Sequence, residues 1–279
     1  MKILVSGGRG LLARNILPLL GERFDLVVYD IDEWDITSLS AGRELMKLHR
    51  PDVVLNLAAM TDVDGCEDRA DLAQKVNAQG AGIVAELCSA AGAQLLHVST
   101  DYVFDGTKGS PYREDDEPGP ASVYGRTKLA GERMVFEKLA GAAVVRSQWL
   151  YGKGGTSFVD KITKLAREHG KVRVVDDQRG SPTCARDLAA PIIAIIEKGL
   201  AGIYHVSNSG SCSWFEFAGA IFSILGMDVE ASPISSRELG RKAVRPANSV
   251  FDLTKLEHDT GIGMRSWMEA LREYLVTGG

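Results

Sequence analysis

Lys2-Ile3-Leu4-Val5-Ser6-Gly7-Gly8-Arg9-Gly10-Leu11-Leu12-Ala13 is an apolar run that breaks into glycines and then takes up helical spacing. Counted from Gly8 it reads Gly-x-Gly-x-x-Ala, and counted from Gly7 it reads Gly-x-x-Gly-x-x-Ala. Glycines let a strand turn sharply into a helix and let the backbone approach a pyrophosphate without a Cβ in the way. The free N–H groups and positive dipole end of the following helix then face the anion. Ala13 is small enough for close packing of helix on strand. Asp30 lies 20 residues beyond Gly10, at the end of the next apolar run, where a carboxylate can bind ribose hydroxyls. Together these features predict a dinucleotide site built from Gly7, Arg9, Gly10, Leu11, Leu12 and Asp30. Asp30 favours NAD, because a carboxylate repels a 2′-phosphate. Arg9 can neutralise that phosphate, so the loop is read as tolerating both cofactors.

Outward from this turn, strand-like runs at Asp25–Asp30, Asp52–Leu57, Gln94–Ser99 and Ala142–Ser147 alternate with helical patterns. The helices are expected at Leu11–Leu20, Ala41–His49, Ala70–Ala90 and Val123–Leu139. The strands are apolar nearly throughout, as in parallel sheets covered on both faces. The order predicts an α/β fold, a Rossmann-type doubly wound parallel sheet with right-handed crossovers. After Trp149 the alternation loosens. Short apolar pieces at Val172–Val175 and Ile203–Val206 sit among helical patterns at Ser157–His169, Ala185–Glu197, Trp214–Leu225 and Ser266–Leu275. Residues 1–149 are read as mainly the dinucleotide-binding domain. Residues 150–279 are read as mainly a smaller, partly interleaved substrate-binding lobe.

Composition narrows the classes. The chain has 279 residues, 45% apolar and 25% charged, which suits a folded globule. A net charge of −5 speaks against a nucleic-acid partner. Glycine, at 30 residues, exceeds the usual ~7% and fits tight turns and close ligand approach. Cys66, Cys88, Cys184 and Cys212 form no Cys-x-x-Cys pair and the five histidines form no His-Glu-x-x-His, so no metal site is read. The first residues are too glycine-rich for a secretory signal. The longest apolar run, Leu188–Ile196, is interrupted by Pro191 and falls short of the ~20 residues of a membrane span. A cytoplasmic protein without membrane contact is expected, with a buried helix at that run. The charge run Arg113-Glu114-Asp115-Asp116-Glu117 reads as a solvated loop.

A second constellation carries chemistry. One strand ends in Ser99-Thr100-Asp101-Tyr102-Val103-Phe104, and Tyr124-Gly125-Arg126-Thr127-Lys128 opens a later helix. Tyr124 and Lys128 share a helix face. An ammonium beside the phenol is expected to lower its pKa from ~10 toward neutrality. Thr100 sits at the carboxyl edge of the sheet, where open α/β folds bind ligands. Asp101 either orients Thr100 or ends the strand. Trp149 is either core or a substrate contact. Trp214, Phe215, Phe217 and Phe222 are read as core.

With these two motifs on the page, the chain resembles the extended short-chain dehydrogenases/reductases, and among them the dTDP-4-dehydrorhamnose reductase family. The resemblance covers nearly the whole chain. It runs through Asn56-Leu57-Ala58-Ala59, Thr61-Asp62-Val63-Asp64, Val76-Asn77, Arg146-Ser147-Gln148-Trp149-Leu150-Tyr151-Gly152, Asp177-Gln178-Arg179-Gly180-Ser181-Pro182-Thr183, Tyr204-His205-Val206 and Arg245-Pro246-Ala247-Asn248-Ser249. It implies Thr100, Tyr124 and Lys128 as catalytic triad, with Tyr124 protonating the C4 keto oxygen of a nucleotide sugar and Lys128 also holding the nicotinamide ribose. It implies that Asn56, Ala58 and Ala59 line the cofactor channel. Tyr102, Trp149, Thr61, Asp62 and Val63 would lie at the sugar, and Arg245 either caps a loop or meets a pyrophosphate. NADPH or NADH is implied, with NADPH slightly favoured.

Related dehydratases resemble Ser-Thr-Asp-Glu at the strand end, where this chain has Tyr102, which argues against dehydration. Some members dimerise through Mg²⁺ bound by carboxylates, one of them early in the first helix. Arg14-Asn15 stands there in this chain, so a monomer or weak homodimer without metal is expected. Two alternatives stay open: a reductase or epimerase for another nucleotide sugar, and a non-catalytic NADP-binding regulatory subunit similar to the methionine adenosyltransferase β subunit.

Overall fold

A computed structural model describes residues 1–277; the last two residues of the expected second lobe lie outside the described residues. The first half alternates β1 (Lys2–Ser6), α1 (Leu11–Gly21), β2 (Asp25–Val28), α2 (Leu39–His49), β3 (Val53–Asn56), α3 (Val63–Asp68), α4 (Ala70–Ala73), a π-helical stretch (Gln74–Gly80), α5 (Ala81–Ala91), β4 (Gln94–Thr100), α6 (Val123–Lys138) and β5 (Ala143–Ser147). The second half contains β6 (Leu150–Tyr151), α7 (Phe158–His169), β7 (Lys171–Val175), β8 (Arg179–Gly180), β9 (Thr183–Cys184), α8 (Ala189–Glu197), β10 (Gly202–His205), β11 (Cys212–Ser213), α9 (Trp214–Ile224), β12 (Glu230–Ile234), α10 (Ser236–Leu239), α11 (Thr254–Thr260) and α12 (Trp267–Thr277).

Six parallel strands form the main sheet in the order β10-β5-β4-β3-β1-β2. The doubly wound α/β fold read from the sequence is the fold observed. The order reverses at β1, which has β2 on one side and β3 on the other, so a crevice opens at their carboxyl ends. One face is covered by α1 and α8, through Ile16, Leu20, Ile192 and Ile195. The other is covered by α2, α5 and α6, through Met46, Val84, Leu87 and Val135. A separate cluster of α7, α9, α12 and β7 buries Ile162, Val174, Phe217, Ile221 and Leu271. The apolar run at Leu188–Ile196 lies largely within the buried helix α8, and among the described residues no helix is long and apolar enough to cross a membrane.

The departures have physical causes. The expectation of strands covered on both faces fails at β2, whose residues are exposed or half-buried because it is the edge strand. The single helix expected over Ala70–Ala90 is interrupted by the π-helical stretch, where Asn77 turns inward. Its side chain accepts from Met60 N at 2.8 Å and donates to Met60 O at 3.1 Å and Thr127 Oγ1 at 3.2 Å. The Arg113–Glu117 run is more than a solvated loop: Glu114 accepts the main-chain N–H of His205 at 3.0 Å and Asp116 pairs with Lys108 at 2.5 Å. Trp214 and Phe215, read as core, are only half-buried, whereas Phe217 and Phe222 are buried. Strand β12 and the short helices α3, α10 and α11 carry no clear periodicity, because each is short.

Gly131 lets α6 lie against the π-helical stretch. A Cβ there would sit 2.2 Å from Asn77 O. Gly→Ala at an exposed helix site gains up to ~1 kcal/mol. We expect Gly131→Ala instead to cost about 1–3 kcal/mol, as overpacking does, read as a lower urea midpoint. An unchanged or raised midpoint would show that the two segments can separate.

Candidate active site

The glycine loop closes against β3. Gly7 has φ +73°, and a Cβ on it would stand 2.7 Å from Ala58 N. Gly10 begins α1 without a side-chain cap, and the first turn carries no acid. By contrast α6, α7, α9 and α10 are all capped by serines, namely Ser122, Ser157, Ser213 and Ser235. Uncapped N–H groups and an unopposed dipole end make this terminus an anion cradle. A dinucleotide pyrophosphate fits it.

One cavity of about 690 Å³, within the usual range for ligand sites, runs from this loop to the end of β5. Gly7, Arg9, Gly10, Leu11, Leu12 and Asp30 line its loop end. Ala58, Ala59, Thr61 and Val63 line the middle, and Thr100, Tyr102, Tyr124, Lys128 and Trp149 the far end. The sequence reading missed Ile31, Asp35, Val76, Val98, Ser147 and Gln148, which also line it. For Ser147 and Gln148 a signal existed, since they stand between Arg146 and Trp149 at a strand's carboxyl end.

Three expected site residues lie elsewhere. Asn56 is fully buried beneath the cavity floor rather than lining it. Its Oδ1 accepts from Ser6 Oγ at 2.7 Å and from Ala58 N at 3.2 Å, which fixes the turn after β3. Asp62 caps α3, accepting from Gly65 N at 3.0 Å, and pairs with Arg69. Arg245 grips Asp64 through two nitrogens at 3.0 and 3.2 Å and donates to Ala243 O at 2.8 Å, so its guanidinium is committed to a carboxylate of this chain. Asn15 braces the Lys153 loop, with Nδ2 donating to Lys153 O and Oδ1 accepting from Lys153 N, both at 3.0 Å. Among the described residues no group of three or more His, Cys, Asp or Glu side chains could hold a metal.

The expected lowering of the Tyr124 pKa by Lys128 is corrected. Burial pushes the phenol above its usual value, and the Thr100 hydroxyl within its reach only tempers the rise. Lys128 faces the sheet instead, donating to Val98 O at 2.7 Å and lying 3.3 Å from His97 Nε2. Asn56 Oδ1 is an acceptor, so its Nδ2 donates to His97 Nδ1 at 3.1 Å. The His97 proton is thereby left on Nε2, toward the ammonium. Burial, opposed by nearby Glu132, lowers Lys128 to about 8. Asp101 does orient Thr100, whose hydroxyl donates to Asp101 Oδ1 at 3.0 Å. Burial raises that carboxyl to about 6.

Trp149 is a half-buried cavity wall whose ring packs against the second-half cluster. It adopts φ +47° and stacks on Trp214 at 3.6 Å and 8°. Gln148 Oε1 accepts from Ser181 N at 2.9 Å and from Ser249 Oγ at 3.3 Å. These bonds draw two distant stretches of sequence against the end of β5.

This glycine cradle, sheet edge and Thr/Tyr/Lys grouping define a Rossmann-type protein of the extended short-chain dehydrogenase/reductase class. The chain belongs to the family described as RmlD substrate binding domain, which matches residues 1–278. It is 44% identical to a dTDP-4-dehydrorhamnose reductase of Streptomyces griseus, over 97% of this chain and 91% of that protein. Its structure is similar to that of a dTDP-4-dehydrorhamnose reductase from Clostridium acetobutylicum ATCC 824 (TM-score 0.96, 40% identity, 99% of each chain). It is equally similar to the Bacillus anthracis str. Ames dTDP-4-dehydrorhamnose reductase in complex with NADP (TM-score 0.96, 40% identity, 99% of each chain).

Behind the site, Arg146 and Glu132 form a fully buried pair, with nitrogen–oxygen distances of 2.6, 3.0 and 3.3 Å. Ser99 Oγ also donates to Glu132. Removing one partner of a buried pair strands the other charge. Glu132→Gln should therefore cost about 3–5 kcal/mol in chemical denaturation. A loss below about 1 kcal/mol, the range of exposed pairs, would mean that water reaches Arg146 in the variant.

Proposed function

We propose that this chain is an NADPH- or NADH-dependent reductase that converts the C4 ketone of dTDP-4-dehydro-L-rhamnose to the alcohol of dTDP-L-rhamnose. The observation that carries the reading is the opening of Thr100, Tyr124 and Lys128 into one cavity with the uncapped start of α1, with Tyr102 where dehydratases have glutamate. The sugar is taken from the names of the relatives. We divide the chain into a mainly dinucleotide-binding part, residues 1–149, and a mainly substrate-binding part after it. We read the compartment as the cytoplasm, on four cysteines that are all free and buried.

A bound nicotinamide would supply hydride to C4. Gly7, Gly10, Leu11 and Leu12 would hold the pyrophosphate, and Asp30 the adenosine ribose. Ala58 and Ala59 would form the channel wall, with Asn56 bracing them from beneath. Lys128 would hold the nicotinamide ribose by its ammonium. The Tyr124 phenol would donate its proton to the ketone oxygen as negative charge develops there, while the Thr100 hydroxyl, turning its proton from Asp101 to the ketone, would orient that oxygen. Reduction needs a loaded acid, and a phenol raised by burial keeps its proton across the working range. Tyr102, Trp149, Thr61 and Val63 would face the sugar. Asp62 and Arg245 would frame the site through the contacts they already make.

Tyr124→Phe should lower the rate of nicotinamide oxidation with this keto sugar by about 10²–10⁴. Turnover near that of the unmodified protein would remove the phenol from the mechanism. Lys128 carries its proton below about 8 and loses it above. The rate should accordingly fall on the alkaline side with a midpoint near that value. Lys128→Arg keeps its charge at any working pH and should lose this limb even if slower. A flat profile for the unmodified enzyme would show that the ammonium charge does no work.

A further inference from the structure

At the adenosine end of the cavity one cation faces several carboxylates. Arg9 N–H donates to Asp30 Oδ2 at 2.7 Å, and its guanidinium reaches Asp30 Oδ1 at 3.3 Å and Asp32 Oδ2 at 2.5 Å. Glu33 accepts the N–H of Asp30 at 3.0 Å, and Asp35 lines the same end. Arg14 is committed elsewhere, its Nε donating to Arg9 O at 2.8 Å. Of the residues lining this end, Arg9 alone is cationic.

The two aspartates differ in what holds them. The Asp30 carboxyl is pinned by main-chain N–H groups of Arg9 and of Ile31, the latter at 2.8 Å. It keeps its place whatever the guanidinium does. Asp32 is exposed (72%), and among the described residues Arg9 is its one side-chain partner.

We propose that Asp32 is a specificity-determining residue for the cofactor: it latches the Arg9 guanidinium over Asp30 and thereby disfavours dinucleotides that carry a 2′-phosphate. The proposal rests on the dinucleotide reading of this site. A free ribose diol asks only for hydrogen bonds to Asp30, with Arg9 left where it is. A 2′-phosphate needs that guanidinium as its counter-charge, so the Arg9–Asp32 pair must break first. With Arg9 held by Asp32, the phosphate meets the Asp30 carboxylate without compensation. An exposed ion pair is weak, which bounds the bias at about fivefold. Asp32 therefore tilts the choice of cofactor rather than deciding it.

The experiment is calorimetric binding of NADPH and NADH, each alone, to the full chain at low salt. It compares the unmodified protein, Asp32→Asn, Arg9→Met and the double variant. Asp32→Asn is expected to tighten NADPH about fivefold and to leave NADH within about twofold, with the difference shrinking as salt screens the charges. In the Arg9→Met background the same change should bring no selective gain. A gain that persists there would reduce the effect to bare charge and overturn the latch, as would equal shifts for both cofactors or none. Failure of the unmodified protein to bind either cofactor would instead overturn the dinucleotide site itself.

Discussion

The buried pair of Glu132 and Arg146 joins the three elements that carry the chemistry. Arg146 belongs to β5, Glu132 to α6, and Ser99 of β4 donates to the same carboxylate. Thr100 follows Ser99 directly, Lys128 lies one helical turn before Glu132, and Trp149 stands three residues beyond Arg146. Each is held near a charge that cannot move without stranding its partner. Such a pair is a poor source of net stability, since an apolar replacement often does as well. Its value here is geometric. It sets the rotation of α6 against the sheet, and with it the direction in which Tyr124 and Lys128 point.

Burial, and not a close ammonium, then sets the protonation of both groups, and it moves the phenol opposite to the expected direction. In a dry pocket the neutral form of each group is favoured, which raises a phenol and lowers an ammonium. Tyr124 moves up and Lys128 down. The two side chains diverge: the phenol faces Thr100 and the ammonium turns to Val98 O and His97. The line Ser6–Asn56–His97 also ties β1 and β3 to β4 through the sheet interior, and Lys128 of α6 joins the same strand at Val98 O. Asn56 thus matters without touching the cavity. Serines cap α6, α7 and α9, whereas α1, whose first turn lines the loop end of the cavity, starts at a bare glycine.

Much of this was legible because it is local. Strand β1, the glycine turn and α1 are contiguous, so their periods and the Gly7 and Gly10 positions can be read directly. Tyr124 and Lys128 are one helical turn apart, and Thr100 ends a strand. The direction of the Lys128 side chain was not legible, because it depends on His97 and Val98 in a strand some 30 residues away. Nor was the edge position of β2, which follows from strand order and not from the composition of β2 itself. The π-helical stretch escaped for the same reason: Asn77 turns inward to meet Met60 and Thr127, and both partners are distant in sequence.

The second half resisted reading because its parts hold each other rather than themselves. Strands β6, β8, β9 and β11 are two residues long and show no period. They pair with one another, β6 with β9 and β8 with β11, and around them Gln148 takes the N–H of Ser181, Arg179 N bonds Ala247 O, and Ser249 N bonds Arg179 O. Two of the stretches that resembled the reductase family, around Gln178 and around Asn248, are therefore mostly brackets. Trp214 Nε1 donates to Gln178 Oε1 at 3.1 Å while its ring stacks on Trp149, and Gln178 Nε2 donates to Ser236 Oγ at 2.7 Å. Trp214 and Gln178 thereby support the wall formed by Trp149. A motif in this part of the chain therefore marks where the pocket is built, while the reacting atoms are met by residues that hang on the sheet.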